Sequence, residues 1–232
     1  MDILYILGRG SKHDNLELRL SLRTLETNGK HIDRLLIVGN KPDWVQNAIH
    51  IPAEDTYQPM NNHCHKVLKA ILWGISDNFL LMNDDFFMLK PFDAEKYPYY
   101  YRGEMTLFEK ELNGGKLSQY HNGLNRTYEM LKAMGIEKPL FYNVHCPIIY
   151  NSEKFSGFSN LFQETKFDDV CFSWRCLYGN MHATNPILVE DCKDFNDEWK
   201  IPETGCLSTS DNCDKILEEL EKRFNKKSRW EK

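Results

Sequence analysis

A chain of 232 residues lies near the upper limit that one hydrophobic core can serve, and its 41% hydrophobic and 12% aromatic content is that of a packed globular protein. A net charge of -5 argues against the broad basic face with which nucleic-acid-binding proteins displace counterions. The cysteines are seven, an odd number with no C-x-x-C pair, and read as reduced thiols rather than as a zinc or redox centre.

The first apolar run, residues 3–7, follows Asp2 and is too short for a signal peptide or a membrane span. No later segment offers the roughly 20 apolar residues that a spanning helix needs, so a cytoplasmic location is expected. That first run suits a buried strand ended by Gly8-Arg9-Gly10-Ser11. A helix is expected over 15–27, with Asp14 as N-cap and Glu17 three residues after it, closed by Asn28-Gly29. Residues 34–39 then read as a second buried strand, completing a β-α-β unit. Further on, the pattern predicts a short helix over 43–48, an extended piece at 50–52, and a helix over 65–74 that turns Val67, Leu68, Ile71 and Leu72 inward. A third apolar strand, 78–82, runs directly into Asn83-Asp84-Asp85.

The second half is less regular. An aromatic loop is expected at 97–102, a helix over 117–134, and a strand-like stretch from 141 up to Pro147 and on to 150. A helix over 168–177, a strand at 187–189 and an amphipathic helix within 210–226 complete the reading. The expected architecture is α/β, with a mixed, mainly parallel sheet flanked by helices. It is divided into one domain over 1–205 and an amphipathic helix with a basic tail over 206–232.

Open α/β sheets bind ligands outside the carboxyl ends of their strands, which is where Asp84 and Asp85 fall. Two adjacent carboxylates there can hold a hard divalent ion, magnesium or manganese, and leave most of its coordination sphere to water and a diphosphate. The simpler reading is a strand-ending turn in which both carboxylates accept backbone hydrogen bonds. Apolar residues on both sides, 79–82 and 86–89, weigh towards a metal, because a charge pair in such surroundings is costly unless it is paired or bound.

From these residues the sequence resembles a glycosyltransferase of the GT-A, Rossmann-like type, and more closely the Stealth family of sugar-phosphate transferases. Residues 2–8 with Gly10-Ser11 are similar to that family's first block. Residues 17–25, the strand around Leu36-Ile37-Val38, Asp43-Trp44 and Asn83-Asp84-Asp85 are similar to its second, and His145-Cys146-Pro147 to a later one. The likeness covers residues 2–150. Where the family has an aspartate after the Gly-Ser, this chain has Lys12. The resemblance implies a nucleotide diphosphate sugar as donor, held with Mn2+ or Mg2+. In it Asp85 is the leading metal ligand, Asp84 the second, and Asn83 a polar helper, with His145 near the transferred group. Gly8, Gly10 and Ser11 lie in the loop near the nucleotide.

Other candidates carry alternatives. Arg23, with Arg19 four residues earlier, suits diphosphate oxygens, or else ion pairs with Glu17 or Glu26. Lys66, near the start of its helix, suits the donor. His145 is a general base or a buried structural imidazole, and His182 a late-chain metal ligand. Asp168 and Asp169 are similar to the acidic pair that many inverting GT-A enzymes place near the acceptor as base, or else start a helix at Val170.

The expected activity is sugar transfer to an acceptor hydroxyl on a glycan, a lipid or a modified nucleobase. The alternatives are a sugar-1-phosphate transferase that releases nucleoside monophosphate, a non-catalytic nucleotide-sugar-binding module, for which Lys12 speaks, and a nucleotidyltransferase or hydrolase that places the same carboxylates around a phosphate.

Overall fold

The computed structural model describes residues 1–8, 14–109, 117–210 and 212–232. Strand β1 (Asp2–Leu7) is apolar throughout except at Asp2, and helix α1 (Leu16–Asn28) follows it. A two-residue strand β2 (Gly29–Lys30) leads to β3 (Leu35–Gly39), β4 (Ile49–Ile51), helix α2 (Pro59–Trp73) and β5 (Asn78–Met82). Next come β6 (Phe86–Met88), β7 (Phe92–Asp93), β8 (Tyr100–Tyr101), α3 (Gln119–Ala133) and β9 (Ile148–Asn151). Helices α4 (Ser152–Ser156), α5 (Ser159–Thr165) and α6 (Trp174–His182) precede β10 (Ile187–Leu188), β11 (Lys193–Asp194), β12 (Cys206–Thr209) and α7 (Asp214–Arg223).

The central sheet has the order β4-β3-β1-β5-β9. Its first four strands are parallel, and β9 runs antiparallel along β5. Alternate residues of each strand enter different cores, as the period of two requires. Leu4, Leu36, Val38, Phe79 and Leu81 meet α2, α3 and α6 on one face, whereas Ile3, Tyr5, Ile37, Leu80 and Met82 meet α1 on the other. The sheet is thus covered on both sides, which is why its strands read as continuous apolar runs.

A second, three-stranded sheet, β11-β12-β6, springs from the end of β5. Its β12 is antiparallel to β6 and parallel to β11. Helix α7 buries Ile216, Leu217 and Leu220 against Leu20, Phe87 and Leu207, so residues beyond 205 are built into the same body as β6 and α1. Among the described residues no helix is long and apolar enough to cross a membrane, and all seven cysteines are free and buried.

Several expectations shift. Helix α1 is preceded by Asn15, at φ 58°, with no side-chain cap, so Asp14 does not cap it. No helix forms over 43–48, because Val45 bridges to Glu231 and Asn47 takes a positive φ of 51°. Leu72 is 87% exposed rather than inward. It follows Ala70 by two residues, about 200° round the helix, and Cys64, Val67 and Ala70 occupy the buried stripe. The strand expected up to Pro147 begins after it, at Ile148. Between 142 and 146 the backbone instead makes local bonds, from Val144 N–H to Tyr142 O and from Cys146 N–H to Val144 O, both 2.8 Å. Finally, the helix expected from 168 starts at Trp174, capped by Ser173.

Candidate active site

The strand order reverses between β1 and β5, since the chain moves outward from β1 to β3 and β4 and then returns to lay β5 on the other side of β1. Such a reversal opens a crevice at the carboxyl ends of the two strands. Asn83-Asp84-Asp85 lies there as a turn closed by a 3.2 Å bond from Phe86 N–H to Asn83 O, and it hands the chain from the central sheet to the second sheet. Helix α1 braces the turn. Tyr5 Oη donates to Ser21 Oγ at 2.8 Å, which donates in turn to Phe86 O at 2.6 Å.

The two carboxylates differ. Burial, and then the charge of Asp85, push the Asp84 pKa up to about 6. Asp85 is held from the second sheet, where Ser208 Oγ donates to its Oδ2 at 2.6 Å and Lys193 Nζ lies 3.7 Å from the same oxygen. Tyr5, beneath the turn, is raised above its usual range by burial, with Asp84 adding to the effect.

Beside Asn83 is a cavity of about 260 Å³ lined by residues of α2, α3, α6 and the 143–145 loop. His145 faces it, together with Asn143, Ser173, Arg175, Tyr120 and His63. The loop owes its shape to Arg175, whose Nε donates to Tyr142 O at 2.8 Å and whose Nη2 donates to the carbonyls of Cys146 and Pro147. His145 Nδ1 lies 2.9 Å from both oxygens of Asp191, and its backbone N–H donates to Oδ1 at 3.0 Å. Arg102 Nη1 completes the cluster, 3.0 Å from Asp191 Oδ2. Burial alone would raise the Asp191 pKa, but the His145 hydrogen bonds and the Arg102 charge bring it down to about 2. A group ionised that firmly accepts only, so His145 Nδ1 is the donor towards Asp191 and Nε2 is the ring nitrogen turned away from it.

His63 contributes a neutral imidazole to the same wall. Burial, then the charges of Arg175 and Lys66, push its pKa down to about 3, and Nε2 is buried with no hydrogen-bond partner among the described residues.

The other expected residues are distributed as follows. Gly10 and Ser11, with Arg9 and Lys12, lie outside the described residues. Gly8 follows β1 with Asp55 Oδ2 beside it, and Lys66 reaches the same mouth. There Lys66 is 4% exposed, paired with Asp55 and bonded to Leu7 O at 2.7 Å, so it holds the end of β1 in place. Arg23 is turned away to Glu231, which it grips through Nε at 2.9 Å and Nη2 at 2.8 Å, while its Nη1 donates to Phe224 O. Asp168 pairs with Arg126 at 2.8 Å and Asp169 is exposed; neither lines the cavity. His182 ends α6 against the rings of Phe158 and Tyr178 and lines a different cavity, so it is not brought to the acidic turn.

Among the described residues, one group of three ligating side chains is close enough to share an ion, His31, Asp93 and Glu95, with ligand atoms within 4.8 Å of one another. Glu95 is 3.9 Å from the Met1 ammonium, which places this group at the amino end of β1, across the sheet from Asp84.

No family model matches this chain, and no curated protein does. Among solved structures it is similar to the galactosyltransferase LgtC in complex with donor and acceptor sugar analogues, at 12% identity and a TM-score of 0.48, over 84% of this chain and 75% of that one. An active-site mutant of LgtC matches with the same figures. At this distance the likeness assigns no chemistry.

Asp191, Arg102, Ser208 and Lys193 were not found from sequence. For Asp191 a signal existed, because Glu190-Asp191 follows the apolar run 187–189 just as Asp84-Asp85 follows 78–82. Ser208 and Lys193 carry no such pattern, since they matter only through the pairing of β11 with β12 and of β12 with β6.

Proposed function

We propose that this protein is a GT-A-like, metal-dependent glycosyltransferase that moves a sugar from a nucleotide diphosphate sugar to an acceptor hydroxyl. The observation that carries this reading is the acidic turn at the β1/β5 reversal, beside a cavity that also receives a histidine whose Nδ1 is held by a carboxylate. The turn suits a hard cation. It holds two neighbouring carboxylates, of which Asp84 is raised first by burial and then by the charge of Asp85, and a divalent ion would offset both. Asp85 and Asp84 would hold Mn2+ or Mg2+, and such an ion would supply positive charge to the leaving nucleoside diphosphate.

The chain's own groups supply the rest. Asn83 presents an amide between turn and cavity, and Arg175 fixes the loop that bears His145. His145 Nε2 accepts the proton of the acceptor hydroxyl, while Asp191 keeps the ring in the required tautomer and stabilises the imidazolium that results. The polar and aromatic lining, Asn143, Ser173 and Tyr120, fits a single sugar ring.

The test is turnover with a panel of nucleotide sugars and Mn2+, comparing the wild type with Asp85→Asn and Asp84→Asn. Each variant is expected to retain its fold by circular dichroism and to lose about 10²- to 10³-fold in kcat. Release of nucleoside diphosphate supports sugar transfer. Release of monophosphate would replace it with sugar-phosphate transfer, and donor binding without turnover in any form would leave a binding module.

A further inference from the structure

We propose, resting on the metal site just described, that Lys193 is a built-in counter-ion of the acidic turn, one that competes with a divalent cation for Asp85 and gives way when nucleotide phosphates arrive. Lys193 is set by strand pairing. Its backbone is in register with Ser208, and Ser208 holds Asp85 Oδ2 at 2.6 Å, so the ammonium, 3.7 Å from that oxygen, is aimed by two adjacent strands.

Both charged side chains are 22% exposed, enough removed from water that the attraction is screened less than on an open surface. A divalent ion held by the Asp85 carboxylate would share that carboxylate with this ammonium, and the two like charges would repel at short range. Entry of the ion therefore sacrifices the lysine's attraction to Asp85. The lysine recovers an anionic partner only when phosphate oxygens enter the crevice, and its long stem allows that change of partner. Metal alone is then held weakly and metal with nucleoside diphosphate tightly, a coupling that is reciprocal by linkage.

The experiment is direct titration of the full chain with Mn2+ alone, read by electron paramagnetic resonance of the free ion, for wild type, Lys193→Met and Lys193→Arg, with Lys193→Gln as a second neutral variant should the first not fold. The neutral variant is expected to bind Mn2+ about tenfold more tightly, and the arginine variant to stay within about twofold of wild type. With saturating uridine or guanosine diphosphate the neutral variant should lose most of that advantage. Unchanged or weaker Mn2+ affinity in a folded neutral variant overturns the proposal, as does the absence of Mn2+ binding in both wild type and neutral variant. Asp85→Asn separates the two ideas. If it abolishes Mn2+ binding while the neutral Lys193 variant matches wild type, the metal site stands and the counter-ion role falls; if it leaves Mn2+ binding intact, the metal site itself falls.

Discussion

At the scale of single residues, the contact between His145 and Asp191 decides which ring nitrogen carries the proton in the proposed mechanism. Asp191→Asn keeps the size of the side chain but offers an amide donor to Nδ1, which drives the ring proton onto Nε2 and removes the base. With an active donor, kcat is expected to fall about 10²-fold or more with KM little changed. Loss of KM alone would assign Asp191 a structural role. His63 makes a different prediction, for stability. Its folded pKa of about 3 is below the unfolded 6.5, so between those values the unfolded chain takes up a proton that the folded chain refuses. The stability it lends is complete above pH 6.5 and is lost as pH falls towards 3. Replacing it with glutamine should spare about 2–3 kcal/mol of the loss between pH 7 and 4.5, measured as urea unfolding of both proteins at each pH. Equal losses would show that His63 titrates normally.

At the scale of elements, α1 matters through what both of its sides hold. One side supports the acidic turn through Ser21, and Thr24 and Asn28 bond to the backbone of Met88 in β6. Another carries Arg23 to Glu231, whose carboxylate is fully buried and also accepts from Ser228. Glu231→Ala should destabilise the protein by about 2–4 kcal/mol by removing the carboxylate that Arg23 Nε and Nη2 and Ser228 share, visible as a lower denaturant midpoint with an unchanged slope. Elements driven by local pattern were legible in advance, namely β1, α1, β3, β5 and the core of α7. Arg23 was not, because its partner lies 208 positions away and nothing local distinguishes a guanidinium that meets phosphate from one that meets a carboxylate. The same holds for 141–147, where a strand-like composition is overridden by Arg175 taking up the loop's carbonyls.

At the scale of the molecule, the sequence could be read for an α/β body with its acids at strand ends, since that inference needs only apolar runs and their borders. The reversal between β1 and β5 needs the strand order, and the cavity needs α2, α3 and α6 placed around it, neither of which a linear pattern contains. Strand β12 joins the two chemical halves. Cys206 Sγ lies 3.9 Å from His145 O and Ser208 holds Asp85, and residues two apart on a strand are separated by about 7 Å on one face. One extended segment therefore touches both the backbone of the His145 loop and the carboxylate of Asp85, so in the proposed reading the two are tied to a single strand. In the proposed reading, room for a bulkier acceptor would come from the helical wall at Met60 and Tyr120, which that strand does not touch.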